Sequence, residues 1–283
     1  MKAKIVTDST AYLDPAEREA LDLSVVPLSV HFPDESALET DIDADYFYNR
    51  IEREGIIPTS SQPSPGQIYA VFAGLVRQGY EVLGIFISSA MSGTYESAIK
   101  ASEMVKEEIP GAKIEVLDSR TNCMALGLIV LEAARAAAAG LSLEEIMPGT
   151  EKMIKRVRFY FVPANLEYLK KGGRIGGASA LIGSVLNIKP VLWVEEGTTQ
   201  VFKKVRGLSN ALETILRVLE DEKQKVGIGE IIVHYIHHDE KAVELARTIH
   251  ERLEIKARVM PIGPVIGLHV GPGAVGIVFN TIE

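Results

Sequence analysis

The feature that most constrains this chain is a repeated order of strand, loop and helix through its first half. Glu81 to Ser88 is an almost unbroken apolar segment of strand length. It ends in a hydroxyl-rich turn, Ser89-Ala-Met-Ser-Gly-Thr, which opens a helical pattern from Tyr95 to Glu108. Lys113 to Asp118 repeats the strand, and a helix is expected from about Met124 to Ala139. A strand that is apolar throughout is covered on both faces, as central strands of parallel sheets are. The alternation therefore predicts βαβ units. Lys4-Ile-Val-Thr-Asp-Ser reads as a further strand, and Leu23 to Phe32 as an extended segment that Pro27 confines to an edge. Asp43 to Glu54 and Gly66 to Gln78 read as helices. Between them, Pro58-Thr-Ser-Ser-Gln-Pro-Ser-Pro is expected to be a loop without regular structure, because three prolines interrupt it.

The second half has a different character. A helix from Leu143 to about Lys155 leads into a strand at Val157 to Val162, and Asn165 to Lys171 forms a short helix before a glycine-rich stretch. Ile188 to Val194 and Thr199 to Val205 flank Glu195-Glu-Gly-Thr, which is a hairpin signal and implies a mixed sheet. Leu208 to Lys223 and Glu240 to Leu253 are expected helices. Gly229 to Tyr235, Ala257 to Ile262 and Val275 to Phe279 are expected strands. The expected fold class is α/β in two lobes. Residues 1–155 would form an α/β/α lobe on a parallel sheet, and residues 156–283 a mixed-sheet α/β lobe.

With 283 residues, 47% of them apolar, the chain can bury a sizeable core. Its formal net charge of -8 argues against nucleic acid and anionic membrane as partners. The single cysteine, Cys123, excludes an internal disulfide and suits a reducing compartment. It heads an apolar run, as a buried structural thiol does. No signal-length apolar stretch precedes Asp8. The most apolar segment, Met124 to Leu141, contains Glu132 and Arg135, so no stable membrane insertion is expected. A cytoplasmic location follows as the expectation.

Two hydroxyl-rich loops are the clearest polar signals, Thr59-Ser60-Ser61-Gln62 and Ser88-Ser89-Ala-Met-Ser92-Gly-Thr94. Loops at the carboxyl ends of parallel strands are where α/β folds place ligands, and a helix start offers free N–H groups to an anion. The alternative is that Ser92 or Thr94 only caps the helix. Gly271-Pro-Gly273-Ala-Val-Gly276 matches a dinucleotide fingerprint in letters alone, since no helix and no distal acidic residue can follow it. Glycines for a turn before a last strand are expected there. His234, His237 and His238 crowd together, yet no Cys or Glu-x-x-His pattern completes a ligand set, so no metal site is expected. No cofactor is expected either. A serine esterase or lipase built on Ser92 and His269 is the enzymatic alternative, although spacing identifies no third member. Recognition of some other small carboxylate is a third.

Taken together, Thr7-Asp8-Ser9-Thr10, Thr59-Ser60-Ser61-Gln62-Pro63-Ser64-Pro65, Ser88-Ser89-Ala-Met-Ser92-Gly93-Thr94-Tyr95, Asp118-Ser119, Leu169-Lys-Lys-Gly-Gly-Arg174-Ile, Ile188-Lys189-Pro190, Lys204-Val-Arg206-Gly and Ile262-Gly-Pro-Val-Ile-Gly-Leu-His269-Val-Gly-Pro-Gly resemble the DegV family. They occur in family order, within one domain of about residues 3–281. The resemblance implies a two-lobed protein that holds one long-chain fatty acid as ligand. It further implies that Ser60, Ser61 and Ser92, with His269 nearby, grip the carboxylate, and that Ser60 stands where the family often has threonine. The resemblance also implies a partner, the catalytic subunit of an ATP-dependent fatty acid kinase, to which the carboxylate is presented for acyl phosphate formation. Arg174 and Arg206 match arginines associated with that pairing. On this reading the protein is lipid-binding and catalyses nothing itself.

Overall fold

The computed structural model describes residues 2–181 and 188–283. The chain forms two compact units. One comprises Met1–Asp41 and Ser60–Lys155, the other Ile42–Thr59 and Arg156–Glu283. In chain order, the first stretch supplies β1 (Ala3–Asp8), α1 (Pro15–Ala20), β2 (Ser24–Val26), β3 (Ser29–His31) and β4 (Ser36–Leu38). An excursion into the second unit follows, carrying α2 (Ala44–Glu54). The chain returns through β5 (Thr59–Ser61), α3 (Pro65–Arg77), β6 (Glu81–Phe86), α4 (Thr94–Glu108), β7 (Ile114–Asp118), α5 (Cys123–Ala138) and α6 (Leu143–Arg156). The second unit continues with β8 (Val157–Val162), α7 (Glu167–Lys171), β9 (Ile188–Glu195), β10 (Thr198–Arg206), α8 (Leu208–Lys225), β11 (Ile228–Tyr235), α9 (Glu240–Leu253), β12 (Arg258–Pro261), α10 (Pro264–Val270) and β13 (Val275–Thr281).

The first unit is organised by a parallel sheet in the order β2-β1-β6-β7, with Val6 beside Ser24, Ile5 beside Leu83 and Phe86 beside Asp118. Every residue of β6 is buried, as its apolar run requires. Val6, Phe72, Val82, Phe86, Ala98 and Val105 belong to the core that α3 and α4 close over this sheet. Beside it lies a small sheet in the order β4-β3-β5. The second unit has a mixed sheet in the order β10-β9-β8-β13-β11-β12, antiparallel except between β11 and β12. Its core draws on Tyr160, Val191, Ile215, Val233, Ile249 and Phe279. The fold is thus α/β, with a parallel sheet in one unit and a mixed sheet in the other.

Two local expectations are overturned. Thr59–Ser61 is a short strand, because three of the four residues between Pro58 and Pro63 suffice to pair along one edge, where proline needs no ladder partner. Pro65 does not extend a loop but occupies the first turn of α3, behind Ser64, which forms a reciprocal capping box with Gln67. The segment Pro264–Val270 is helical, with Gly263 as its N-cap. Gly267 is required there by packing: a Cβ would fall 2.7 Å from Tyr48 Cζ and closer still to the Tyr48 hydroxyl. That hydroxyl donates to the carbonyls of Ile262 (2.9 Å) and Gly263 (3.1 Å), which ties α2 to the start of α10.

Candidate functional site

The carboxyl ends of β1, β6 and β7 lie along one edge of the parallel sheet, and two buried or half-buried carboxylates set the loops that leave it. Asp8, at the end of β1, is fully buried. It accepts from Thr10 N (2.9 Å), Thr10 Oγ1 (2.5 Å) and Ile87 N (2.8 Å). Burial raises its pKa above the ordinary aspartate value, against the lowering effect of these donors. Asp118, at the end of β7, accepts from Ser89 Oγ (2.5 Å), Ser89 N (3.2 Å) and Arg120 N (2.8 Å). The loop after β6 is therefore held from both neighbouring strands. On the same edge, Thr7 Oγ1 and Asn122 Oδ1 are buried and have no hydrogen-bond partner among the described residues.

The two hydroxyl-rich loops meet through one amide. Gln62 Nε2 donates to Ser97 Oγ (3.0 Å) in the first turn of α4, and the Gln62 side chain lies over Gly93. A Cβ at Gly93 would stand 2.8 Å from Gln62 Cδ. In this way β5 and the 88–94 turn are brought together within the first unit. Ser61 Oγ is hydrogen-bonded to His31 Nε2 (2.8 Å), and His31 Nδ1 to Ser36 Oγ (2.8 Å). Successive strand residues point to opposite faces, so Ser60 is directed away from His31. Ser92 Oγ, half-buried, pairs with Thr94 Oγ1 (2.9 Å) and accepts from Thr94 N (3.3 Å). The N-cap of α4 is Gly93, which has no side chain, and the first helical N–H, that of Thr94, donates to Ser92 Oγ instead. The next N–H groups of the first turn, those of Tyr95 and Glu96, have no acceptor within the helix and are the kind of donor an anion uses.

His269, Arg174 and Arg206 belong to the second unit. His269 is half-buried near the end of α10. Burial first, and the nearby Arg174 guanidinium second, press its pKa down to about 4. Its ring lies against Gly172, where a Cβ would come 3.2 Å from Cε1 and closer to Nδ1. Arg174 Nη1 donates to the Gly172 carbonyl (2.6 Å). The structure therefore groups His269 with Arg174 around Gly172. Arg206 is exposed at the end of β10.

The hydrogen bonds of the Ser92 hydroxyl run to Thr94, within the first unit. A cleft of about 620 Å³ in the first unit is bordered by Glu81, Lys106, Lys113, Glu115, Glu144 and Glu151. Ala112, Ile114, Leu143, Met147 and Pro148 line the same cleft. Cys123 is buried, and burial drives its thiol pKa well up, as fits a structural role. Among the described residues, no helix is long and apolar enough to cross a membrane. Sequence reasoning did not assign roles to Asp8, Asp118, Gln62 and His31. For the two aspartates a signal existed, an acidic residue at the end of an apolar parallel strand. For Gln62 and His31 none did, because their partners are distant in sequence.

Comparison with known proteins places the chain. The profile of the family described as "Uncharacterised protein, DegV family" matches residues 2–281. A DegV domain-containing protein of Clostridium acetobutylicum is 50% identical, over 99% of this chain and 98% of that protein. Among solved structures, a fatty-acid-binding DegV family protein of Thermus thermophilus superposes with a TM-score of 0.91 at 32% identity, covering 100% of both chains. A stearic-acid-binding protein of Eubacterium ventriosum superposes with a TM-score of 0.89 at 30% identity, covering 98% of both. With the family profile matched nearly end to end and the fold shared throughout, this chain belongs to the DegV family.

Proposed function

We propose that this protein binds one long-chain fatty acid and presents its carboxylate to a separate ATP-dependent kinase. The observation that carries the reading is the junction of the two hydroxyl loops through Gln62, at the start of α4. Relatives of the same fold that are named as fatty-acid-binding support it. The physical demand is simple. Each buried methylene contributes roughly 0.8 kcal/mol, so a long acyl chain offers on the order of 10 kcal/mol before ordering costs. The carboxylate opposes this, costing several kcal/mol if it is left without donors in a dry site. Hydroxyls and helix-start N–H groups satisfy it without drawing off its charge, which a nucleophile toward phosphorus must keep.

Ser92 and Ser60 are the hydroxyls assigned to the carboxylate. Ser61 is the weaker candidate, because strand alternation turns it to the face of His31, opposite Ser60. His269 is assigned to the carboxylate on the family resemblance alone. Arg174 and Arg206 form the proposed docking point for the kinase, a local positive feature on a chain of net charge -8. The test is to denature the purified protein, extract it with organic solvent and analyse the extract by mass spectrometry. About one fatty acid per chain is expected. Absence of lipid, together with no binding of added oleate or stearate, refutes the reading.

A further inference from the structure

Sequence spacing gave His237 and His238 no third ligand, but the fold supplies one. Glu52, near the end of α2, faces both imidazoles from a segment far away in sequence. Its carboxylate oxygens lie 3.9 Å from His237 Nε2 and 3.9 Å from His238 Nε2, and one ligand atom of each residue lies within 4.8 Å of the others. All three belong to the second unit. We propose that Glu52, His237 and His238 form a zinc site that clips α2 to the turn between β11 and α9.

The contrast with His234 separates this cluster from ordinary structural histidines. His234 is fully buried, and its Nδ1 is hydrogen-bonded to the Met260 carbonyl at 3.0 Å. That is how a core imidazole is normally satisfied. The side chain of His237 is only 9% exposed, yet its Nδ1 has no hydrogen-bond partner among the described residues. Ring contacts hold the imidazole in place instead, with Tyr48 at 5.5 Å and His238 at 4.2 Å between centroids. Its Nε2 is thereby aimed at Glu52. Two imidazoles and one carboxylate are a donor set that favours zinc over magnesium or calcium, which prefer oxygen shells. Tetrahedral zinc with bonds of about 2.0–2.2 Å brings ligand atoms to roughly 3.3–3.5 Å from one another. Glu52 and His238 are 47% and 57% exposed, so both side chains have room to turn toward the more buried His237. Three protein ligands leave a fourth position for water. The negative net charge of the chain favours cation capture.

The test uses tag-free, chelator-stripped full-length protein titrated with zinc chloride by calorimetry, and with cobalt(II) followed by visible absorption. One ion per chain is expected, with d–d bands of low-symmetry cobalt. Glu52→Gln combined with His238→Ala is expected to lose those bands and to weaken binding more than the roughly 10–100-fold that loss of an outer-shell partner costs. Both positions are exposed, and circular dichroism verifies that the variant is folded. His250→Ala, an exposed histidine on α9 outside the cluster, is expected to leave affinity unchanged. The proposal is overturned by absence of saturable binding, by equal affinity in the double variant, or by an equal loss in His250→Ala.

Discussion

Gly93 offers the sharpest test of how the two hydroxyl loops are joined. Its backbone (φ -75°, ψ 12°) suits alanine, so Gly93→Ala introduces no backbone strain. What it introduces is a methyl group 2.8 Å from Gln62 Cδ, an approach that real side chains do not tolerate. Gln62 must swing away and give up its bond to Ser97 Oγ, and Ser97 is only 3% exposed. A lost neutral hydrogen bond costs about 1 kcal/mol, and a buried hydroxyl left without its partner brings the total to about 1–3 kcal/mol. Against this, replacing glycine by alanine at a compatible backbone position stabilises by about 0.4–1 kcal/mol through the unfolded chain. In the native background the substitution should therefore destabilise by about 0–2.6 kcal/mol. In a Gln62→Ala background the obstacle is gone, and the same substitution should be neutral or stabilising. Urea unfolding of the four members of this cycle measures the coupling, and fatty-acid titration of the same proteins reads out the site. If Gly93→Ala has the same effect in both backgrounds within about 0.3–0.5 kcal/mol, Gln62 does not bridge the loops and the argument for a joint site fails.

Further outcomes are expected. Ser92→Ala removes one hydrogen bond to a charged group, worth about 1.5–3 kcal/mol, and should weaken fatty-acid binding about tenfold or more in a fluorescence competition assay. Ser60→Ala should weaken it more than Ser61→Ala, and the reverse order would show that β5 presents its other face. His234 is buried neutral, its pKa depressed from 6.5 to about 4 by burial. The unfolded chain then takes up a proton first on acidification, so about 3 kcal/mol of stability present above pH 6.5 is lost as pH falls through 4. His234→Gln should flatten that part of the curve, and an unchanged acid limb refutes the assignment. Arg174→Glu with Arg206→Glu should abolish acyl phosphate formation by an added kinase while leaving lipid affinity intact, and undiminished turnover would make both arginines ordinary surface.

Sequence pattern revealed most where burial is complete or turn chemistry is strict. β6 was legible because a central parallel strand tolerates almost no polar side chain. The hairpin of β9 and β10 was legible because Glu196 and Gly197 both adopt the left-handed conformation (φ 48° and 77°) that a two-residue turn needs. α10 was hidden because Gly263, Pro264 and Gly267 are loop signals locally. Only Tyr48, arriving from α2, explains why a helix there needs a glycine. β5 was hidden for a similar reason, since three residues between prolines become a strand only when β3 is beside them. The hydroxyl residues of the site were visible as a cluster of like chemistry. The groups that hold their loops, Asp8 and Asp118, acquire meaning only once parallel pairing sets β1, β6 and β7 side by side.

The early excursion of the chain has a consequence for biosynthesis. Tyr48 is bonded to Ile262, 214 positions downstream. At translation rates of about 5–20 residues per second, the ribosome needs roughly 10–40 s to deliver that partner after α2 has emerged. Throughout that interval Phe47, Tyr48 and Ile51, each at most 1% exposed in the finished protein, lack their final surroundings. The parallel sheet of the first unit can form meanwhile, but α2 cannot yet dock. The nascent protein thus carries a sticky, unhoused helix until its last strands appear, and substitutions that slow completion of the C-terminal third lengthen its exposure to aggregation and proteolysis.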